Sequence, residues 1–338
     1  MCFLILAGGN GERLWPLSNK ETPKQLVSFL GGQTLLDQTI DRIKNLRTQE
    51  QTIWVMTTSD QYDRVNKSVG SKVDKILVEP ESRNTGSAIT YAAHEIEKES
   101  HDSVMVVLPS DHFIPDVKNF CSVILQAIDN ASTHESIAIL GCKPAYPATG
   151  YGYIHTYHNG TDLWHTVKKF HEKPDSIHAQ EYCSRDDMFW NMGIFIARTS
   201  VLIREVSYCA PKLLSSVKRY ISKEKNYSEI ENISFDYAVL EKSFNIIMFL
   251  FNYEWHDVGN LASFVNIKAR YESNSSCVLS HESEGNLISS KKKLIVCLGV
   301  NNLCIVETDD VLVISHREQT ESIKRVRTKI KEQYESLL

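Results

Sequence analysis

Between Cys2 and Gly141 short apolar runs recur near 2–6, 53–57, 75–79, 103–108 and 136–141, and the gaps hold helix-period patterns near 34–46, 60–68, 86–98 and 118–130. A sheet built from such strands buries both faces only if the helices cover it. The pattern therefore predicts an α/β fold with a doubly wound, mostly parallel, Rossmann-like sheet. Sheets of this kind bind ligands beyond the carboxyl ends of their strands. The unusual residues of this stretch sit at those ends: Gly8-Gly9 after the first run, Glu79-Pro80 after the third and Ser110-Asp111 after the fourth.

From about Tyr151 the pattern becomes mixed. "YGYIHTY", "HTVKKFHEK" and "NMGIFIAR" read as strands separated by polar helices, an extension of the same domain. Beyond Ala269, "RYESNSSCVLSHESEG" reads as linker and turn material, and residues 286–316 hold three short strands closely spaced by turn residues. That spacing predicts a small C-terminal β-solenoid or sheet, a β-helix-like domain. The last segment sets Ile323, Val326, Ile330, Tyr334 and Leu337 on one stripe of a charged helix, which packs on its own domain or seals a subunit interface. The expected division of the 338 residues is 1–269 and 270–338.

A hydrophobic share of 42% with 23% charged residues is that of a soluble globular protein. A formal charge of -5 argues against nucleic acid or an anionic membrane as the main partner. The amino terminus enters a strand directly, without a basic n-region or a long apolar h-region, and no apolar run approaches a membrane span, so a cytoplasmic location is expected. The 8 cysteines form no Cys-x-x-Cys pair and are expected as reduced, mostly buried thiols.

The first strand runs into "LILAGGNGERLWPLSNKETPKQL", Leu4 to Leu26. A dinucleotide fingerprint needs glycine where Leu14 stands, and a P-loop needs Gly-Lys-Ser/Thr where Gly11, Glu12 and Arg13 stand. What remains is a turn of Gly8, Gly9 and Gly11, whose backbone N–H groups can approach a phosphate, with Arg13 and Lys24 adding positive charge. Pro16 and Pro23 stiffen the loop between them; without them it would read as an ordinary strand-to-helix turn with two solvated cations.

Asp111 and Asp257 each follow a strand-like run, and two carboxylates with phosphate oxygens suit Mg²⁺. Either aspartate alone reads equally as a helix cap or turn residue. In "FHEKPD" Pro174 ends a strand and sends Glu172 and Lys173 to opposite faces, unless they form a surface ion pair. Asn191, between Trp190 and Met192, needs a partner if buried, either a ligand hydroxyl or a backbone group. His155-x-x-His158 lacks the setting of a zinc site, and Lys291-Lys292-Lys293 reads as a solvated turn.

The opening stretch resembles the sugar-1-phosphate nucleotidyltransferases, whose signature is an apolar strand, a glycine-rich turn, Arg-Leu-x-Pro-Leu and a downstream Pro-Lys. "RLWPLS" and "PKQL" are similar to the mannose-1-phosphate guanylyltransferase branch. So, in order, are "EPESRNTGSAI" at 79–89, "VLPSDHFI" at 107–114, "ATGYGYI" at 148–154, "FHEKPD" at 170–175, "FWNMGIFI" at 189–196, "SFDYAVLEK" at 234–242 and "WHDVGNLASF" at 255–264. "LGVNNLCIVETDDVLVIS" resembles, more loosely, the β-helical tail of the same enzymes.

The resemblance implies transfer of GMP from GTP to mannose 1-phosphate, giving GDP-mannose for glycan synthesis. It implies Arg13, Lys24 and Lys173 as catalytic residues and Asp111 and Asp257 as the Mg²⁺ ligands. Leu6, Ala7, Gly8, Gly9, Gly11, Glu79, Arg83, Asn84, Thr85, Pro109 and Ser110 would surround the nucleotide, and Gly150, Tyr151, Glu172, Lys173 and Asn191 the sugar phosphate. Guanine presents N1–H and an amine, so a selective site needs an acceptor, and Glu79 is the candidate, unless it merely caps local backbone. A buried acceptor left unpaired by adenine can discriminate by ~10⁴-fold.

The expected partners are GTP, mannose 1-phosphate and a second copy in a homodimer, without nucleic acid or membrane. Three residues depart from the usual pattern: Glu12 for threonine or serine, Asn19 for arginine, and Asp309 for proline. The isomerase domain of longer relatives is not expected, nor is mannose-6-phosphate isomerisation. The rivals are a transferase for another base or sugar, a non-catalytic sugar-nucleotide sensor, and a nicotinamide dehydrogenase, the last disfavoured by Leu14.

Overall fold

The computed structural model describes residues 1–46, 51–157, 164–272, 277–290, 293–334 and 337; His158, Lys291 and Lys292 lie outside these residues. The strands are β1 (Cys2–Leu6), β2 (Thr52–Thr58), β3 (Lys75–Glu79), β4 (Val104–Pro109), β5 (His112–Phe113), β6 (Ile137–Cys142), β7 (Tyr153–Thr156) and β8 (Trp164–His171), followed by β9 (Met188–Arg198), β10 (Ile246–Leu250), β11 (His256–Asp257), β12 (Val278–His281), β13 (Leu287–Ser289), β14 (Ile295–Leu298), β15 (Leu303–Glu307) and β16 (Leu312–His316). The helices are α1 (Leu35–Lys44), α2 (Tyr62–Val69), α3 (Asn84–Glu99), α4 (Val117–Thr133), α5 (Ser176–Cys183), α6 (Thr199–Cys209), α7 (Pro211–Ile221), α8 (Leu261–Tyr271) and α9 (Ile323–Gln333). By where its contacts fall the chain forms two compact units. The first is Met1–Gly8, Ile40–Pro109 and Ile114–Glu254; the second is Gly9–Thr39, Ser110–Phe113 and Trp255–Leu338.

The first unit is built on a nine-stranded sheet, counted among the described residues, in the order β3-β2-β1-β4-β9-β6-β10-β8-β7. β3, β2, β1 and β4 are parallel, as are β6 and β10. β1, β2, β4 and β6 are buried along nearly their whole length, the continuous apolar run expected of strands without a solvated face, whereas β3 at the sheet edge is mostly half-buried. α3 buries Ala88, Ile89, Ala92, Ala93 and Ile96, one helical stripe. β9 enters antiparallel between β4 and β6, and β7 and β8 pair antiparallel beyond. This is the mixed region the sequence marks from Tyr151.

In the second unit β5 pairs with β11, β12 lies parallel to β14, and β13, β15 and β16 form a small sheet. β12 falls within the segment read as linker. All four of its residues are exposed, so it is a strand by backbone pairing alone and leaves no burial pattern to read. The core of this unit gathers Leu14, Trp15, Val27 and Phe29 from the signature loop with Val258, Leu261 and Phe264, and with Leu287, Cys304, Val306 and Ile323 from the tail. The terminal stripe is divided: Ile323 and Ile330 pack on this core, while Val326 and Tyr334 are exposed. All eight cysteines are free thiols; Cys2, Cys142, Cys297 and Cys304 are buried and Cys277 is exposed.

Candidate active site

The signature loop of the second unit is fixed by packing as well as by proline. Leu14 and Trp15 are buried, the Trp15 indole N–H donates to the Leu337 carbonyl at 2.8 Å, and the Ser18 hydroxyl donates to the Gly11 carbonyl at 2.6 Å. Asn19, where arginine is usual, makes a turn by accepting from the Glu21 and Thr22 N–H groups at 2.9 and 2.8 Å. Glu12 pairs with Lys324 at 3.3 Å. Gly11 has φ +64, and a Cβ there would lie 2.5 Å from Lys24 Cβ. The glycine is thus required because the Lys24 backbone crosses it, which ties the turn to the lysine. Gly9 has no such neighbour.

Lys24 Nζ donates to Asp111 and lies 3.7 Å from Asp257. The pairing of β5 with β11 creates this junction: Asp257 stands opposite His112 in the register, and the Val258 N–H donates to the Asp111 carbonyl at 3.0 Å. Burial works to lower the Lys24 pKa, but the Asp111 and Asp257 carboxylates outweigh it and hold the pKa above its ordinary value. Burial likewise works to raise Asp111, yet Lys24 and His112 hold it below the usual carboxylate range. The ligand atoms of Asp111, His112 and Asp257 all lie within 4.8 Å of one another, so these donors fit a divalent cation. Ser110 is buried beside them in sequence, and Arg13 is exposed with no hydrogen bond or ion pair among the described residues.

The first unit holds two further groups. At the carboxyl end of β3, Glu79 stands opposite Thr58 of β2 and is buried, with the Tyr227 hydroxyl donating to its Oε1. Its other oxygen faces the turn after β1, 3.8 Å from where a Cβ on Gly8 would be. Burial pushes the Glu79 carboxyl up to about 7, against the Tyr227 hydrogen bond. Leu6 and Ala7 lead into this turn, Ala7 donating to the Met56 carbonyl at 2.8 Å, and Pro109 ends β4 opposite Leu6. Asn84 opens α3 at φ 68, a conformation few non-glycine residues adopt. Thr85 accepts from the Phe235 N–H at 2.9 Å, and Arg83 pairs with Glu81 at 3.1 Å.

The second group centres on Glu172, Lys173 and Asn191. Glu172 is buried and accepts from Lys173, which has φ 43 and a half-exposed side chain. A Cβ on Gly152 would lie 2.8 Å from Glu172 Oε2 and 2.8 Å from the buried Phe170 ring, so glycine lets the chain pass close to both. Asn191 donates to Asp236 at 3.0 Å and accepts from the Gly193 N–H at 3.0 Å, so its partners are a carboxylate and a backbone group. Tyr151 packs edge-on against Trp190, with centroids 5.2 Å apart; Gly150 is exposed. Asp236 opens a π-helical turn, Asp236–Leu240, a feature frequent at functional sites. Burial and then the Glu172 charge push the Asp236 carboxyl up to about 7, opposed by Lys173.

Tyr227, Asp236 and His112 were not among the expected site residues. Asp236 carried the same signal as Asn191, a polar side chain inside an apolar run; Tyr227 carried none. Of the residues set aside, His155 lies 2.9 Å from Asp187 and Lys293 lies 2.7 Å from Glu307.

Residues 3–274 match the Nucleotidyl transferase family, and residues 277–330 match the MannoseP isomerase/GMP-like beta-helix domain. The chain belongs to the nucleotidyl transferase family. It is 31% identical to a Klebsiella pneumoniae mannose-1-phosphate guanylyltransferase over 95% of this chain and 72% of that one. It is 30% identical to the Pseudomonas aeruginosa alginate biosynthesis protein AlgA over 96% of this chain and 71% of that one. Among solved structures, a mannose-1-phosphate geranyltransferase from Thermus thermophilus superposes with a TM-score of 0.87 at 25% identity, covering 97% of this chain and 98% of that chain. These matches fit a nucleotidyltransferase domain followed by a β-helix-like tail.

Proposed function

We propose that the protein is a mannose-1-phosphate guanylyltransferase, which transfers GMP from GTP to mannose 1-phosphate and releases pyrophosphate. The observation that carries the reaction type is Lys24 held against the Asp111 and Asp257 carboxylates at the foot of a glycine turn. The choice of GTP and mannose 1-phosphate follows the names of the relatives and the acceptor Glu79 offers to guanine. Supply of GDP-mannose to a polysaccharide pathway suits the likeness to AlgA.

Both reactants are anions, so the enzyme must offset their repulsion and hold the sugar-phosphate oxygen in line with the α-phosphorus. In this reading Arg13 and Lys24 stabilise the triphosphate and the departing pyrophosphate, and Lys173 draws in the sugar phosphate. Glu172 accepts from sugar hydroxyls, Asn191, held by Asp236, meets the sugar beside it, and Gly150 and Tyr151 flank the sugar. Gly8, Gly9 and Gly11 offer backbone donors to the phosphates, while Arg83, Asn84, Thr85, Pro109 and Ser110 line the nucleotide. Asp111 and Asp257 would hold a divalent cation, Mg²⁺ in our reading, which when bound withdraws charge from phosphate oxygens. Residues 1–269 carry these roles, and the tail, 270–338, packs on the signature loop within the second unit.

A homodimer fits the exposed Leu279, Leu298, Leu312 and Ile314 of the tail, and light scattering showing only monomer at micromolar concentration would remove it. We place the enzyme in the cytoplasm, in keeping with relatives named as biosynthesis proteins; no helix among the described residues is long and apolar enough to cross a membrane. A sensor would not need Arg13, Lys24, Asp111 and Asp257 all together. Pyrophosphate release with GTP, ATP and UTP, each against mannose 1-phosphate and glucose 1-phosphate, tests the reading. Turnover confined to GTP with mannose 1-phosphate is expected, and preference for another pair would overturn the specificity.

A further inference from the structure

The acceptor assigned to guanine is not a bare carboxylate. Tyr227, 148 residues further along the chain, donates its hydroxyl to Glu79 Oε1. The donor is held rigidly: it opens a short helical turn with a complete capping box between Asn226 and Glu229 and is 2% exposed. Its ring packs edge-on against Tyr220 of α7 and Tyr91 of α3, at centroid distances of 4.9 and 6.4 Å. Tyr227 therefore meets Glu79 from a fixed direction and leaves Oε2 towards the turn at Gly8.

We infer that Tyr227 is a positioning residue for base selection, holding one oxygen of Glu79 so that an ionised carboxylate edge is presented to the purine. The inference rests on the reading that Glu79 meets guanine. An ionised carboxylate only accepts, which matches the guanine N1–H and 2-amino group and leaves adenine N1 facing a second acceptor. A protonated carboxyl offers one donor and one acceptor, which matches adenine N1 and its 6-amino group. Selection for guanine over adenine is thus a consequence of which form Glu79 holds.

The surroundings make that form sensitive to a single hydrogen bond. Burial pushes Glu79 up to about 7, and Tyr227 is the group that opposes it. The other titratable groups facing it are tyrosines: Tyr91 is pushed up to about 12 and Tyr220 and Tyr227 are also raised, each chiefly by burial. All three stay neutral between pH 6 and 9. Among the described residues no cation contributes to the balance on Glu79.

The test measures kcat/KM for GTP and for ATP with mannose 1-phosphate from pH 6 to 9, on wild type, Tyr227→Phe and Glu79→Gln. Calorimetric binding of GTP and ATP over the same range gives a second readout. Tyr227→Phe keeps the ring in its aromatic cluster and removes only the donor. In wild type the GTP-over-ATP ratio should fall as pH drops through about 7. In Tyr227→Phe the same fall should come about one pH unit higher, a loss of ratio of up to about tenfold near pH 7.5 that is recovered by pH 9. Glu79→Gln should show a low ratio without this pH dependence. A Tyr227→Phe profile that superposes on wild type overturns the inference, as does a Glu79→Gln ratio unchanged from wild type. Absence of wild-type turnover with GTP and mannose 1-phosphate is instead the failure of the proposed function, and the binding profiles then still decide the role of Tyr227.

Discussion

Glu79→Gln should make the protein more stable at alkaline pH, although the same change damages base selection. Glu79 is 4% exposed and its carboxyl is pushed up from 4.5 to about 7, chiefly by burial. Below pH 4.5 the group is protonated in the folded and the unfolded chain, and its ionisation has no effect on stability. Between 4.5 and about 7 the unfolded chain has lost a proton that the folded one keeps, so stability falls as pH rises. Above about 7 the whole penalty is present, about 3 kcal/mol from the distance between the two values. Glutamine keeps an oxygen for the Tyr227 hydroxyl and cannot ionise. Urea unfolding followed by tryptophan fluorescence should show the stability difference between Glu79→Gln and wild type growing in the variant's favour by about 2 kcal/mol from pH 5 to pH 8. Asp236 titrates in the same window but is common to both proteins, so it cancels. A difference that stays constant from pH 5 to pH 8 would refute the reasoning.

Other perturbations reach the second unit. Arg13→Ala should leave the unfolding free energy within about 0.5 kcal/mol of wild type, because Arg13 is exposed, while lowering kcat by ~10²-fold in a pyrophosphate-release assay; near-normal turnover would remove it from the reaction. Gly11→Ala places a Cβ 2.5 Å from Lys24 Cβ at φ +64 and should lose about 1–3 kcal/mol of stability with a fall in kcat, whereas unchanged turnover would show that the Lys24 position tolerates displacement. Asp111→Asn should weaken Mn²⁺ binding, followed by electron paramagnetic resonance, by at least about tenfold. Equal binding by the variant would place the metal elsewhere.

The parallel half of the sheet was legible because its strands are apolar on both faces and its helices carry one stripe each. β9 was legible as a strand but not in direction, since "NMGIFIAR" is equally apolar whichever way it runs. β12 was hidden for a different reason: its side chains are exposed and only its backbone is paired. In the site, glycine and charge marked Gly11 and Lys24, yet nothing in the spacing announced that the lysine backbone passes within contact distance of the glycine. Glu79 was legible as a carboxylate at a strand end. Its donor Tyr227 was not, because a buried tyrosine hydroxyl finds its partner through folding across 148 residues and leaves no local pattern. The tail read as a separate domain, and its packing on Leu14, Trp15 and Val27 emerged only in three dimensions.

Phosphorus NMR of the wild-type protein mixed with GTP, mannose 1-phosphate and Mg²⁺ tests the central claim most directly. The account predicts the loss of the GTP γ-phosphate and mannose 1-phosphate signals in step, with the diphosphate pair of GDP-mannose and free pyrophosphate appearing in equal amounts. Orthophosphate in place of pyrophosphate, or an unchanged mannose 1-phosphate signal while GTP is consumed, would contradict it.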